Sequence, residues 1–203
     1  VVLLSTTITS PTTKQIITEF LAKYPGSRHI QADADSYSGM LLANEASFGR
    51  RAIPTYHFEN AKVIVSLGAD FLGTWLSPVE FARQYSKGRK IDEKNISLSK
   101  HYQFESLLSM TGANADERFT HKPSQAGAVA VALLNAVNNL EVVISDAGLK
   151  KGIQKAAADL RAAGGNALVV SGSNDTNVQI VVNAINEAIG AVGKTINWAV
   201  TSN

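Results

Sequence analysis

The 203-residue chain contains no cysteine. Disulfides, thiolate-ligated iron–sulfur clusters and cysteine-based zinc sites are therefore excluded within it. Charge is scarce as well, with Asp, Glu, Lys and Arg making up 18% of residues against 45% hydrophobic ones. That balance suits an α/β domain whose strands are buried on both faces, or a piece whose outside is covered by other protein. Neither sign of charge dominates. Nineteen basic against 17 acidic residues leave a net +2, which is no electrostatic footprint for nucleic acid. Apolar runs such as Ala126 to Ala136 fall short of the roughly 20 residues of a membrane span, so no direct span is expected. The chain opens on Val1-Val2-Leu3-Leu4, without an initiator Met or a signal peptide, and is expected to be cut from a longer protein.

What is present alternates between strand and helix. Val1–Thr7 reads as a strand, and Ser10-Pro11 opens a helix that Pro25-Gly26 closes. Arg28–Ala32 reads as a second strand and Tyr37–Phe48 as a helix. Lys62–Leu67 is the clearest buried strand, followed by the turn Gly68-Ala69-Asp70 and a helix over Pro78–Lys87. The polar stretch Lys87–Lys100 reads as an exposed loop and Gln103–Met110 as a strand. Helices are expected over Gln125–Asn138 and Leu149–Ala163. The strand Ala167–Ser171 opens into Gly172-Ser173-Asn174-Asp175, a last helix buries Val178, Val181, Val182, Ile185 and Ile189, and a final strand spans Thr195–Val200. Such alternation predicts an α/β fold: a Rossmann-like, three-layer, mostly parallel sheet with helices on both faces. The composition shift near Asn138 suggests two segments. Residues 1–138 form one α/β lobe, and 139–203 join the same sheet or an adjoining lobe.

Candidate chemistry is sparse. Gly68-Ala69-Asp70 and Gly172-Ser173-Asn174 follow strands, where α/β proteins bind ligands, yet neither is a dinucleotide or P-loop fingerprint; each also reads as a capped βα turn. His29, His57, His101 and His121 are scattered without metal-ligand spacing. No Gly-x-Ser-x-Gly nucleophile elbow occurs. Glu45 with Glu59, or Asp33 with Asp35, are carboxylate pairs in principle, the latter better read as loop caps. Arg83, Lys87, Arg89, Lys90, Lys94 and Lys100, tempered by Asp92 and Glu93, mark a solvated loop or a dock for an acidic partner or anionic lipid. Tyr85, Tyr102 and Phe104 flank them without the spacing of a single-strand nucleic-acid platform.

Several words, in order, resemble one family. Ala61-Lys62-Val63-Ile64-Val65-Ser66-Leu67-Gly68-Ala69-Asp70-Phe71-Leu72, then Trp75-Leu76-Ser77-Pro78, is similar to the strand, Gly-Ala-Asn turn and Ser/Pro helix start of molybdopterin oxidoreductases of the dimethyl-sulfoxide-reductase type. Phe104-Glu105-Ser106, Thr111-Gly112-Ala113-Asn114-Ala115-Asp116 and Lys122-Pro123-Ser124 resemble the next block, and Leu168–Asn174 with Asn183–Gly190 a later one. The wording around Trp75 and His101–Ser106 looks most like the molybdopterin-like half of the large iron–sulfur subunit of bacterial alternative complex III, a quinol:electron-acceptor oxidoreductase. The resemblance implies that Gly68, Ala69, Asp70 and Glu105 occupy positions where family members bind molybdopterin guanine dinucleotide. It also implies a respiratory complex at the periplasmic face of the inner membrane, with other subunits and the rest of its own chain as partners and any iron–sulfur clusters outside this segment. Two departures speak against a bound pterin. Ser106 stands where the family has Pro, and Lys122-Pro123-Ser124-Gln125 replaces Arg-Pro-Gly-Thr-Asp, losing the acid. A retained fold with an eroded cofactor site, inactive by itself, is the expectation; the rival is an active cofactor-binding oxidoreductase segment.

Overall fold

Uniformly apolar strands, rather than alternating ones, form the middle of this protein. The computed structural model describes residues 1–8, 10–91 and 97–202. In it β4 (Val63–Leu67) and β7 (Ala167–Ser171) are buried at every position. They lie side by side in a four-stranded parallel sheet ordered β6-β5-β4-β7, completed by β5 (Lys100–Glu105) and β6 (Glu117–Thr120). Strands with both faces buried have no solvent side to mark with polar residues, which is why these two read as continuous runs.

Helices cover both faces. On one, Tyr102 of β5 donates its hydroxyl to Asp159 of α6 (Ala147–Ala163) at 2.5 Å. Phe104 stacks on Phe119, and Gly152 of α6 lies so close to the Phe119 ring that a Cβ would stand 2.5 Å from it. On the other face His101 meets Tyr85 of α3 (Pro78–Gly88). There Phe58 stacks on Phe71 at 4.4 Å, with Phe81 4.9 Å from Phe58. Phe71 and Trp75, two residues that carry the family resemblance, are thus core residues.

The sheet's β7 edge is closed by side chains rather than by another strand. Asn186 of α7 (Thr176–Ala188) accepts from the Val169 N–H at 3.0 Å and donates to the Val169 carbonyl at 2.7 Å. Gln179 donates to the Ser171 carbonyl and Thr195 to that of Ala167. Unpaired strand edges recruit other chains, and buried backbone groups need partners; this ladder of three side chains serves both ends.

By its contacts the chain divides into two compact units, Val1–Tyr37 and Ser38–Asn203. The first is a short βαβ element: β1 (Val2–Ser5) pairs in parallel with β2 (Arg28–Gln31), joined by α1 (Pro11–Ala22). Ser10 caps α1 by accepting from Thr13 N, with Pro11 at the first helical position, as the sequence indicates. The second unit holds the sheet, α2 (Ser38–Phe48), the small α4 (Met110–Ala113), α5 (Ala126–Val137) and an antiparallel pair of β3 (Ile53–Tyr56) with β8 (Ile196–Ser202). The architecture is therefore a mixed parallel and antiparallel α/β arrangement with helices flanking the sheets. Residues 139–203 contribute β7 to the same sheet as β4.

Two expectations are corrected. The strand placed at Gln103–Met110 runs over Lys100–Glu105 instead, with 106–109 a turn leading into α4. The loop predicted over Lys87–Lys100 is shorter, since α3 extends to Gly88 and Lys100 begins β5. Polar His101, Gln103 and Glu105 mask the strand because they face a buried side, where they satisfy one another.

Candidate functional site

After β4 the chain builds β5 and β6 to one side, then returns to lay β7 on the other. The turns leaving β4 and β7 therefore diverge, and α/β proteins open a binding crevice at such a switch point. A crevice of about 810 Å3 lies there, lined from the turn after β4 (Gly68, Asp70), the turn after β5 (Glu105 to Met110), the segment entering α5 and the turn after β7. Gly68 adopts φ +70°. Gly172 has a different reason to be glycine: a Cβ there would stand 2.3 Å from the Gly68 carbonyl oxygen. The two turns touch backbone to backbone.

Of the four residues placed at family cofactor positions, three line the crevice: Gly68, Asp70 and Glu105. Ala69 is fully buried, its N–H donating to Ser66 Oγ and its carbonyl accepting from the same hydroxyl. Glu105 is almost wholly buried, and its carboxylate accepts four hydrogen bonds. They come from Ser109 Oγ at 2.6 Å, Ser109 N at 3.3 Å, Gln103 Nε2 at 3.0 Å and Arg118 Nε at 2.5 Å. Four donors match the lone-pair capacity of a carboxylate. Burial alone would raise the Glu105 pKa, but the donors from Ser109, Arg118 and Gln103 outweigh it and hold the group below its ordinary value, hence ionised. Gly112 packs on this carboxylate, where a Cβ would stand 2.0 Å from Oε1. Asp70 is tied at one oxygen: Oδ1 accepts from Thr111 N at 3.0 Å and Thr111 Oγ1 at 2.7 Å.

A polar chain leads from α3 to Glu105. Gln103 turns its amide N–H to the Glu105 carboxylate, so its Oε1 faces His101 Nε2 at 3.3 Å. An amide oxygen only accepts, which puts the imidazole proton on Nε2; the Tyr85 hydroxyl lies 3.2 Å from Nδ1 and 3.1 Å from the Asn114 carbonyl, the two acceptors between which its single proton is shared. Burial drives the His101 pKa down to about 4, and neither its Gln103 hydrogen bond nor the Asp116 charge recovers it. The sequence gives no sign of this chain. Arg118, its charged terminus, comes from a neighbouring strand whose register is set only in the fold.

The fit of a pterin guanine dinucleotide, which the resemblance implies, can be tested on these contacts. Reading a purine at the Glu105 position requires a carboxylate with open lone pairs, and Glu105 has none left. Cradling a pyrophosphate requires free N–H donors or cations. The Ala69, Gly172, Ser173 and Asp175 amides already donate to Ser66 Oγ, the Leu67 carbonyl, Ser171 Oγ and Ser173 Oγ. The α7 N-terminus is capped by the Asp175 carboxylate, and no described Lys or Arg lines the crevice. These residues do not fit the group.

The remaining candidates do not converge. Asn174 accepts from Gly39 N at 2.8 Å, fixing the start of α2. His29 meets Ser5, and His57 meets Glu59. Glu45 pairs with Arg51 at 3.7 Å, and Asp33 accepts from Thr7, so neither carboxylate pair forms. His121 reaches the crevice beside Ser106 at 3.5 Å, a couple the sequence reading missed. It is no nucleophile–base dyad: the facing Nδ1 lies 2.9 Å from the Lys122 carbonyl oxygen, to which it can only donate. In the basic stretch, Arg89 grips Asp116 at 2.6 and 2.8 Å, and Lys100 bonds Asp159 at 2.9 Å, so both are bound within the fold. Asp92, Glu93 and Lys94 lie outside the described residues. Among the described residues no group of three or more His, Asp or Glu is placed to hold a metal ion, and no helix is long and apolar enough to cross a membrane.

No family model matches the chain, and no curated protein sequence matches it. Among solved structures it resembles a chain of the formyltransferase/hydrolase complex of Methylorubrum extorquens, solved in complex with methylofuran, with a TM-score of 0.52 at 12% identity. The likeness covers 93% of this chain and 49% of the other, so this chain spans about half the length of the one it resembles. At that identity the likeness is one of fold.

Proposed function

We propose that this chain is a non-catalytic scaffold domain from the large subunit of a quinol:electron-acceptor oxidoreductase, built on the molybdopterin-oxidoreductase fold without its cofactor. Its role is to dock against the cluster-bearing half of its own chain and against neighbouring subunits, on the periplasmic side of a bacterial inner membrane. Motifs in family order and a parallel sheet with its crevice at the expected strand ends support the family part of this reading. The observation that carries the non-catalytic part is the Glu105 carboxylate, saturated by Ser109, Gln103 and Arg118 and so closed to a purine. A site whose polar groups are spent internally rejects a ligand that needs them.

The rival reading, an active segment that binds molybdopterin guanine dinucleotide at Gly68–Asp70 and Glu105, makes opposite predictions. Elemental and pterin analysis of the intact parent complex is expected to find no molybdenum associated with this subunit. Calorimetric titration of the 203-residue chain with guanosine diphosphate is expected to give no binding heat. Stoichiometric molybdenum, or saturable nucleotide binding that Glu105→Ala abolishes, would overturn the scaffold reading.

A further inference from the structure

The crevice that turns away a pyrophosphate has a charge and a shape of its own. Asp70 is partly exposed to it, with Oδ1 held by Thr111 and no described residue donating to Oδ2. Gly73 lies against that open oxygen, where a Cβ would stand 2.1 Å from Oδ2, so the carboxylate's pose depends on the glycine. The other acid, Glu105, is balanced by Arg118. With no described Lys or Arg in the lining, one uncompensated negative charge faces the space.

Its walls are mostly apolar. Leu67, Val129 and Val178 form the inner part, while Leu107, Leu108 and Met110 stand at the mouth with 82%, 62% and 60% of their surface exposed. About 810 Å3 falls within the ~300–1,000 Å3 of small-molecule sites. An anion entering meets repulsion from Asp70. A neutral ligand gains apolar contact and at most ordinary hydrogen bonds, whereas a cation on an apolar body adds a charge-assisted bond to Asp70.

We infer that this crevice binds an organic monocation, a primary ammonium or guanidinium on an apolar body, with the charge on Asp70 Oδ2 and the body against Met110 and Val178. The site is charge-inverted relative to a nucleotide site, and it stands whether or not the chain is a scaffold.

A matched series tests it: 2-phenylethylamine, its neutral analogue 2-phenylethanol and the anion phenylacetate, each titrated into the 203-residue chain while backbone amide shifts of Gly68, Gly73, Thr111 and Val178 are followed by NMR. The amine is expected to bind about tenfold or more tightly than the alcohol, and phenylacetate not at all. Asp70→Asn keeps an acceptor for Thr111 and removes the charge, so it should bring the amine down to the alcohol's affinity without lowering Tm. Met110→Ser should weaken amine and alcohol alike. Equal binding of amine and alcohol by the unmodified chain, shifts that avoid these residues, or an Asn variant that retains the amine preference would each overturn the assignment. Guanosine diphosphate in the same series bears on the scaffold reading alone, so the two failures are distinguishable.

Discussion

His101 makes acid stability a measurable consequence of the buried chain beside the crevice. The imidazole is fully buried between α3 and β5, with the Phe71 ring centroid 5.3 Å away, Tyr85 on Nδ1 and Gln103 on Nε2. Asp116, bonded to the His101 N–H, and the charges of Arg89 and Glu105 complete its surroundings. Burial sets its pKa at about 4, against 6.5 when exposed. The unfolded chain therefore binds a proton that the folded chain refuses, and stability rises with pH between these values. A difference of this size corresponds to about 3 kcal/mol, present in full above pH 6.5 and lost as pH falls toward 4. Between pH 7 and pH 5 the loss comes to roughly 2 kcal/mol, or about 4–8 °C in Tm for a domain of this length. Urea unfolding followed by tryptophan fluorescence at pH 7, 6 and 5 measures it. His101→Gln can still donate to Gln103 but does not titrate. It should be less stable than the parent at pH 7 and lose most of the slope between pH 7 and 5, so that the gap narrows as pH falls. A variant with the same slope as the parent would refute a neutral buried His101.

Gly172→Ala should cost about 2–3 kcal/mol in urea unfolding, because its Cβ would stand 2.3 Å from a backbone oxygen that cannot rotate away; a loss below ~0.5 kcal/mol would mean that the β4 and β7 turns separate easily. Asn186→Leu should cost about 2–4 kcal/mol by leaving the Val169 N–H and carbonyl unpaired at the sheet edge. It should also accelerate hydrogen exchange at Val169 ahead of Val65 on the interior strand, and equal acceleration at both would count against the edge-closing role.

How legible the fold was depended on what each strand faces. β4 and β7 are buried on both sides, so their apolar runs and following turns stood out. β5 has Tyr102 and Phe104 on one face and His101, Gln103 and Glu105 on the other, and a polar residue reads as exposed whether or not it is. β3 contains Pro54, and β6 is Glu-Arg-Phe-Thr at the opposite edge of the sheet from β7; both lack the apolar pattern of a strand. The crevice was half legible. Strand-end glycines pointed to Gly68–Asp70 and Gly172–Asn174, but Asn174 turned out to fix α2, and Thr111, Ser109 and Arg118 come from loops and a strand whose pairing no local spacing encodes.

Glu105 and Asp70 show why an acid at a position that resembles a cofactor motif does not by itself indicate a cofactor. A buried carboxylate is costly unless its oxygens are matched, and losing it strands the groups that matched it. Arg118, Gln103 and Ser109 all depend on Glu105, and Gly112 leaves the space that its carboxylate fills. Such a residue is held by the fold even where nothing binds, because any replacement leaves an arginine and an amide without their partner. Asp70 is under no such closure: one oxygen holds Thr111, while the other receives no hydrogen bond from a described residue. What separates the two acids is therefore how many of their lone pairs the protein itself uses. By that measure Glu105 serves the fold, while Asp70, among the described acids of the crevice, keeps an oxygen open to a ligand.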